Sequence, residues 1–363
     1  MYIKDISLKD FRNYRELKTN FSDKVNIFIG NNAQGKTNLL ESIYMNAMAK
    51  SFKNIRDREL IRFGEDHCRI ESTAYIDGED HTTEIVINRQ GKKIIKIDGV
   101  KADRTSQLLV RIFIIIFSPE DLKIVKDEPE KRRRFIDREL CQIKPKYYNA
   151  FSSYRRVLKQ RNMYLKENDI ESSVLDIWDY ELARYGSDII LERKNFIDRI
   201  SKISGKIHDG ISGGAEKLSL KYETSIDDFE NTFEFFLDTL KKERDEDVRN
   251  RTTGRGPHKD DVRISANGID LRKFGSQGQQ RTAALSLKLS EIRLIEDETG
   301  EKPVLLLDDV LSELDNNRQT YLINSLGESQ MFITTADISG KVVRSLPQGK
   351  IFKIKEGNID IEI

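Results

Sequence analysis

The sequence predicts an α/β fold in two lobes, with an α-helical domain inserted between them. Three observations predict it. Near the start, an apolar run (residues 24–29), a Gly-rich loop and a helical stretch follow one another. Far downstream, another apolar run ends in the paired acids Asp308 and Asp309. Between about residues 119 and 251, apolar residues recur at three- and four-residue steps on otherwise charged stretches, which is the pattern of long amphipathic helices. The expected division is therefore 1–118, 119–251 and 252–363.

At 363 residues the chain has ample length for a large core and two or three domains. The formal net charge is +1, so any binding of nucleic acid must come from local patches rather than a global field. Charged residues make up 34%, well above the usual quarter, which suits long solvated helices or surface ion-pair networks. Cys68 and Cys141 are far apart without metal-ligand spacing and read as reduced core thiols. The first residues lack the apolar core of a signal peptide, and the longest apolar run, residues 112–117, is strand-sized. The expectation is a cytoplasmic protein.

In chain order, residues 2–8 and 16–21 read as strands, and residues 24–29 as a buried strand entering the loop. That loop, Gly30-Asn31-Asn32-Ala33-Gln34-Gly35-Lys36-Thr37, fits the phosphate-binding pattern G-x-x-x-x-G-K-[ST] without a mismatch. Its glycines let backbone N–H groups curl around phosphate oxygens, and the helix that follows adds its positive end. Lys36 neutralises the β and γ phosphates of a nucleotide, and Thr37 offers a hydroxyl to Mg²⁺. A basic segment follows, with Lys50, Lys53, Arg56, Arg58 and Arg62. Residues 68–77 and 82–98 alternate apolar and polar side chains around Gln90-Gly91 and Asp98-Gly99, as antiparallel hairpins do. Residues 108–117 read as a strand central in a sheet.

Ser118-Pro119-Glu120-Asp121 opens the helical domain, with Pro119 at the first helical position. Apolar seams from Tyr147 to Leu165 and from Leu175 to Ile207, joined by a short polar link, predict an antiparallel helical pair. Its second member would be about 50 Å long at 1.5 Å per residue. Residues 217–223 read as a strand and residues 225–250 as a further helix. Residues 252–261 are too rich in Gly and Pro for an element and read as an ordered loop. A hairpin about Asn267-Gly268 follows.

In a phosphate-loop protein, the strand ending at Asp308 lies beside the strand entering the loop and aims that carboxylate at Mg²⁺. Asp309 is placed to orient or deprotonate an attacking water. Upstream, Ser276, Gly278 and Gln279 open a helix and offer a hydroxyl and bare backbone N–H groups as a second anion cradle.

The order of residues 30–37, 276–280, 305–309 and then Ser312-Glu313-Leu314-Asp315 resembles the head of ABC-type P-loop ATPases, most closely the SMC-like branch concerned with DNA. Within that branch the chain resembles the RecF family of bacterial recombination mediators. The resemblance rests on FRNY (11–14), GNNAQGKTN (30–38), FSPED (117–121), EKRRRFID (130–137), GPHKDD (256–261), GSQGQQR (275–281) and LLLDDVLSELD (305–315), which span nearly the whole chain. It implies a dimer with two ATP sites, in which Ser276 and Gly278 of one copy close on the γ-phosphate held by the other. It also implies that Asp315 faces the partner copy. Three positions depart from the wider pattern: Asp309 stands where most heads have Glu, residues 118–121 lack the expected glutamine, and Thr334-Thr335 replaces the switch histidine. Together they imply slow hydrolysis.

The resemblance further implies work with RecR and RecO in loading RecA at gapped DNA or single-strand/double-strand junctions. No base-reading module is present, so DNA contacts would be sequence-neutral, made through phosphates. The candidate residues are Arg12, Lys53, Arg56 and Arg58 in the first lobe and Arg132, Arg133 and Arg134 in the helical domain. Two rival readings are the motor subunit of a membrane transporter and an SMC-like tether. The long basic helical insert and the missing switch histidine count against the first, and an insert of about 130 residues is too short for the second.

Overall fold

The computed structural model describes residues 1–53, 55–109, 111–336 and 348–362. The chain forms two compact units, Met1–Asp121 with Lys288–Ile363, and Leu122–Leu287.

In the first unit, β1 (Tyr2–Phe11) and β2 (Tyr14–Asn20) form a hairpin, and β3 (Val25–Ile29) leads into the loop and α1 (Lys36–Met48). Strands β4 (His67–Ile76), β5 (Glu79–Asn88), β6 (Lys93–Ile97) and β7 (Val100–Lys101) extend the hairpin into an antiparallel sheet, in the order β2-β1-β4-β5-β6-β7. Alternation along β4 buries Cys68, Ile70, Ser72 and Ala74 on one face. Burial pushes the Cys68 thiol up to about 12, which suits an inert core thiol. Asp98 and Gly99 both adopt positive φ, as the expected tight turn requires.

The apolar run after residue 107 is only partly a strand. Leu108 and Leu109 end a short helix, α2 (Ser106–Leu109), Val110 lies outside the described residues, and the strand β8 is Ile114–Phe117. Nor is it central: β8 is an edge strand of the second sheet. An all-apolar strand signals burial of both faces, not two hydrogen-bonded neighbours. All four β8 residues are buried, and Lys288, clamped to Glu291, sits 5.6 Å from the centre of the Phe117 ring.

The second unit opens with α3 (Leu122–Lys126) and α4 (Pro129–Ile143). The predicted helical pair follows as α5 (Pro145–Tyr164) and the 41-residue α6 (Ser172–Ser212). After β9 (Leu218–Glu223), the expected helix at 225–250 starts late, as α7 (Thr232–Lys242) and α8 (Arg244–Asn250). Asp228 bonds the backbone N–H groups of Glu230 and Asn231, and Thr224 that of Ile226, so local side-chain bonds displace the first turns. Strand β10 (Asp261–Ala266) pairs with β9 and with β11 (Ile269–Asp270). Then come α9 (Leu271–Phe274) and α10 (Gln277–Thr299). Residues 252–287, expected with the second lobe, therefore cluster with the helices. The pairing of β10 with β9 and two buried arginines draw them there.

Arg161, fully buried on α5, binds Asp179 on α6 and Asp247 on α8 at 2.8 and 2.7 Å, and reaches Thr253 at 2.8 Å. Arg193 on α6 forks onto Asp137 of α4 and donates to the Pro257 carbonyl at 2.5 Å. The loop at 252–261 is thus ordered, as expected. His258 donates Nε2–H to the Thr253 carbonyl at 3.0 Å and accepts the Tyr154 hydroxyl on Nδ1 at 2.7 Å.

Burial holds His258 down to about 4 and pushes Asp260 up to about 6, the latter against the Tyr222 hydroxyl and the Arg193 charge. His258 contributes stability above its unfolded value of about 6.5 that is lost as pH falls toward 4. Asp260 contributes stability below about 3.8 that is lost as pH rises through 6. Each is worth about 3 kcal/mol, and the two offset one another. Between pH 7 and 4, Asp260→Asn is therefore expected to lose about 3 kcal/mol more than the parent, and His258→Gln about 3 kcal/mol less. Urea unfolding at the two pH values measures this, and parallel pH profiles for all three proteins would contradict it.

The chain returns to the first unit as β12 (Val304–Asp308), α11 (Asn316–Ser325), β13 (Met331–Thr335), β14 (Gly349–Lys355) and β15 (Asn358–Glu362). The second sheet runs β15-β14-β3-β13-β12-β8, parallel except for β15. Strand β12 therefore does not lie beside β3, as expected from sequence, because β13 is inserted between them. Among the described residues, no helix is long and apolar enough to cross a membrane.

Candidate nucleotide site

The phosphate-loop pattern leaves the end of β3 and winds back into α1. Gly30 has φ 154° and Gly35 φ 115°, and neither could carry a side chain. A Cβ at Gly30 would sit 2.4 Å from the Ile354 carbonyl oxygen, and one at Gly35 2.6 Å from Asn13 Nδ2. The backbone is gripped from two sides. Asn13 Nδ2 donates to the Gln34 carbonyl at 3.1 Å and Tyr14 Oη to the Gly35 carbonyl at 3.0 Å. From the β14–β15 turn, Glu356 N–H donates to Gln34 Oε1 and Gly357 N–H to the Gln34 carbonyl. Asn31, Asn32 and Ala33 stay exposed at the tip.

No side chain caps the start of α1, so its first N–H groups point into the loop. Lys36 is 5% exposed and its ammonium bonds the Gly30 and Asn31 carbonyls at 2.5 and 3.0 Å. It is folded back over the loop, where an anion would meet it. Thr37 Oγ1 donates to Asp308 Oδ1 at 2.8 Å. Asp308 also accepts from Thr334 Oγ1 on the intervening β13 at 2.9 Å. Burial raises the Asp308 pKa, and the neighbouring Asp309 adds to the rise, while the two threonine hydroxyls oppose it. Asp309 is held at φ 53°, with its N–H donating to Thr334 Oγ1 at 2.9 Å. Thr334 thus fixes both acids, a role that no spacing in the sequence announces.

The two hard oxygens of Thr37 and Asp308 fit the chemistry of Mg²⁺, which takes one or two protein oxygens alongside phosphate oxygens. Near the expected glutamine position, the Asp121 carboxylate accepts the Ser118 N–H at 2.7 Å, and Glu120 is exposed.

Arg12 and Lys53 converge on one carboxylate. Glu41 of α1, fully buried, accepts a fork from Arg12 at 2.9 and 3.0 Å and lies 3.5 Å from Lys53 Nζ. Arg56 and Arg58 are exposed and lack an ion-pair partner among the described residues. Phe63, five residues beyond Arg58, is fully exposed.

In the second unit, Ser276 and Gln279 form a reciprocal cap. Ser276 N–H donates to Gln279 Oε1 at 2.9 Å, and Gln279 N–H to Ser276 Oγ at 3.2 Å. Ser276 and Gly278 are exposed. Arg132 does not fit a role as a DNA contact. It is 3% exposed and forks onto Asp261 at 2.6 and 2.9 Å, a partner 129 positions away that sequence inspection could not pair with it. Arg133 is half-buried and donates to the Asp260 carbonyl, whereas Arg134 is exposed and paired with Glu130. Back in the first unit, Asp315 caps α11 through the Asn317 and Arg318 N–H groups, and these bonds with the Arg318 charge hold its carboxyl low.

The family model described as RecF/RecN/SMC N terminal domain matches residues 2–343. A DNA replication and repair protein RecF from Agathobacter rectalis is 44% identical over 364 residues, covering 99% of each chain. The chain belongs to the RecF family. A second member, from Clostridioides difficile, is 43% identical over 99% of this chain and 98% of its own. A solved structure of the recombination mediator protein RecF with ATP, in the RecFOR pathway, superposes with a TM-score of 0.92 at 37% identity. It covers 100% of this chain and 97% of that one. An SMC head bound to the C-winged helix domain of ScpA shares the fold alone, with a TM-score of 0.58 at 16% identity over 100% of this chain and 98% of that one. The RecF fold is thus the SMC-like ABC-type ATPase fold.

Proposed function

We propose that this chain is an ATP-dependent DNA-binding switch of recombinational repair, with weak ATPase activity. The observation that carries the reading is the contact of Thr37 Oγ1 with Asp308 Oδ1 beside an uncapped helix start and a buried lysine. A nucleoside triphosphate with Mg²⁺ uses all three, and the similarity to a RecF structure with ATP supports ATP as that nucleotide. Residues 30–37 hold the phosphates, Lys36 neutralises them, and Thr37 with Asp308 holds Mg²⁺. Bound there, Mg²⁺ supplies charge neutralisation across the phosphates. Asp309 orients the attacking water from a short side chain, and a threonine pair stands at the switch position, which favours slow turnover.

Two copies close on two nucleotides, with Ser276, Gly278 and Gln279 of one copy meeting the γ-phosphate held by the other and Asp315 facing the partner copy. The closed pair binds gapped or junction DNA without sequence preference, and hydrolysis releases it. Arg56 and Arg58 are the first-unit contacts that their exposure favours. The similarity to a recombination mediator of the RecFOR pathway supports RecR and RecO as partners and RecA loading as the outcome, in the cytoplasm.

Sedimentation with and without ATP tests the scheme in the parent, Lys36→Arg and Ser276→Arg. ATP is expected to drive dimers in the parent alone. Lys36→Arg disturbs nucleotide handling, and Ser276→Arg blocks the contact in trans while leaving monomer ATP affinity intact. A parent that stays monomeric at saturating ATP overturns the reading.

A further inference from the structure

We propose that Glu216 is a positioning residue for the signature segment, setting the orientation of Ser276 from the end of α6. The inference rests on the reading that Ser276 closes on a partner's nucleotide. Glu216 lies in the short link between α6 and β9, with its side chain 20% exposed. Its Oε1 accepts Gln279 Nε2 at 2.8 Å, and its Oε2 lies 3.0 Å from Nε2 of His208, which is fully buried in the last turn of α6. A carboxylate only accepts, so His208 Nε2 carries the proton in this contact, and Nδ1 faces Ser286 Oγ at 3.2 Å.

Glu216 thereby touches a buried ring with one oxygen and holds Gln279 with the other. That matters because Gln279 is the other half of the Ser276 cap. Its amide has one end on Glu216 and its oxygen on Ser276 N–H. A glutamine near the surface otherwise keeps its rotamer freedom. With Glu216 holding the nitrogen end, the amide cannot turn over, and its oxygen stays on Ser276. The Gln279 N–H occupies a lone pair of Ser276 Oγ, which leaves the serine O–H as the group to donate to an outside phosphate oxygen. The relay His208–Glu216–Gln279–Ser276 thus runs from a buried anchor to an exposed hydroxyl. It lies wholly within the second unit.

The test compares the parent, Glu216→Ala and Glu216→Gln by sedimentation at saturating Mg²⁺-ATP. It is paired with monomer affinity for a fluorescent ATP analogue at concentrations below dimerisation. Glu216→Ala is expected to weaken the dimer about tenfold with monomer nucleotide affinity unchanged. Glu216→Gln is expected to stay within about threefold of the parent. Its carbonyl still accepts from Gln279, and its amide donates to His208 in the other tautomer. A purely structural role would instead lower thermal stability and both affinities together, with no rescue by Gln. Dimerisation of Glu216→Ala at parental strength, or a Gln variant no better than Ala, overturns the inference while the two-copy reading stands. A parent that never dimerises with ATP overturns both.

Discussion

Lys36→Ala is expected to lower ATP affinity about a thousandfold while barely changing the stability of the protein without nucleotide. The asymmetry follows from what the ammonium does in each state. Without ligand it bonds the Gly30 and Asn31 carbonyls, both at a partly or fully exposed loop tip where water can replace it. With ATP it would face two phosphates, and each charge-assisted contact is worth about 1.5–3 kcal/mol. Calorimetric titration with Mg²⁺-ATP and a melting curve without nucleotide separate the two effects. An alanine variant that binds ATP within tenfold of the parent would mean that the loop does not hold the triphosphate.

Arg193→Ala is expected to destabilise the helical unit by about 3–5 kcal/mol, the usual result of stripping one partner from a buried ion pair. The substitution leaves the Asp137 carboxylate, 8% exposed, without its fork and the Pro257 carbonyl without its donor. Tyr147 Oη still donates to Asp137, which cannot offset a buried charge. Replacing both members, as Arg193→Met with Asp137→Leu, is expected to recover part of the loss, because the stranded Asp137 charge is gone while Asp260 and the Pro257 carbonyl still lack the guanidinium. Urea unfolding followed by circular dichroism reads both results, and a double variant no better than the single one would count against the explanation.

What the sequence made legible was local. The phosphate loop, the helix start at Ser276, the Asp98-Gly99 turn and the helical seams are each set by residues within a few positions of one another. Strand order was not legible, because nothing in residues 304–308 says that residues 331–335 come between them and β3. Nor was the fate of Arg132. A basic residue on a helix looks the same whether it faces solvent or a carboxylate 129 positions away. The grip of Asn13 and Tyr14 on Gln34 and Gly35 escaped for the same reason. FRNY stood out as a string, but its purpose lies in a contact between two turns.

The paired arginines of the helical unit have a consequence for how that unit comes apart. Arg161 fastens α5, α6 and α8 to the loop, and Arg193 fastens α4 and α6 to the same loop from its other end. Unwinding any of these helices at the turn that carries its arginine or carboxylate strands a buried charge. Those turns are therefore expected to part together with the loop, like a board held by two bolts.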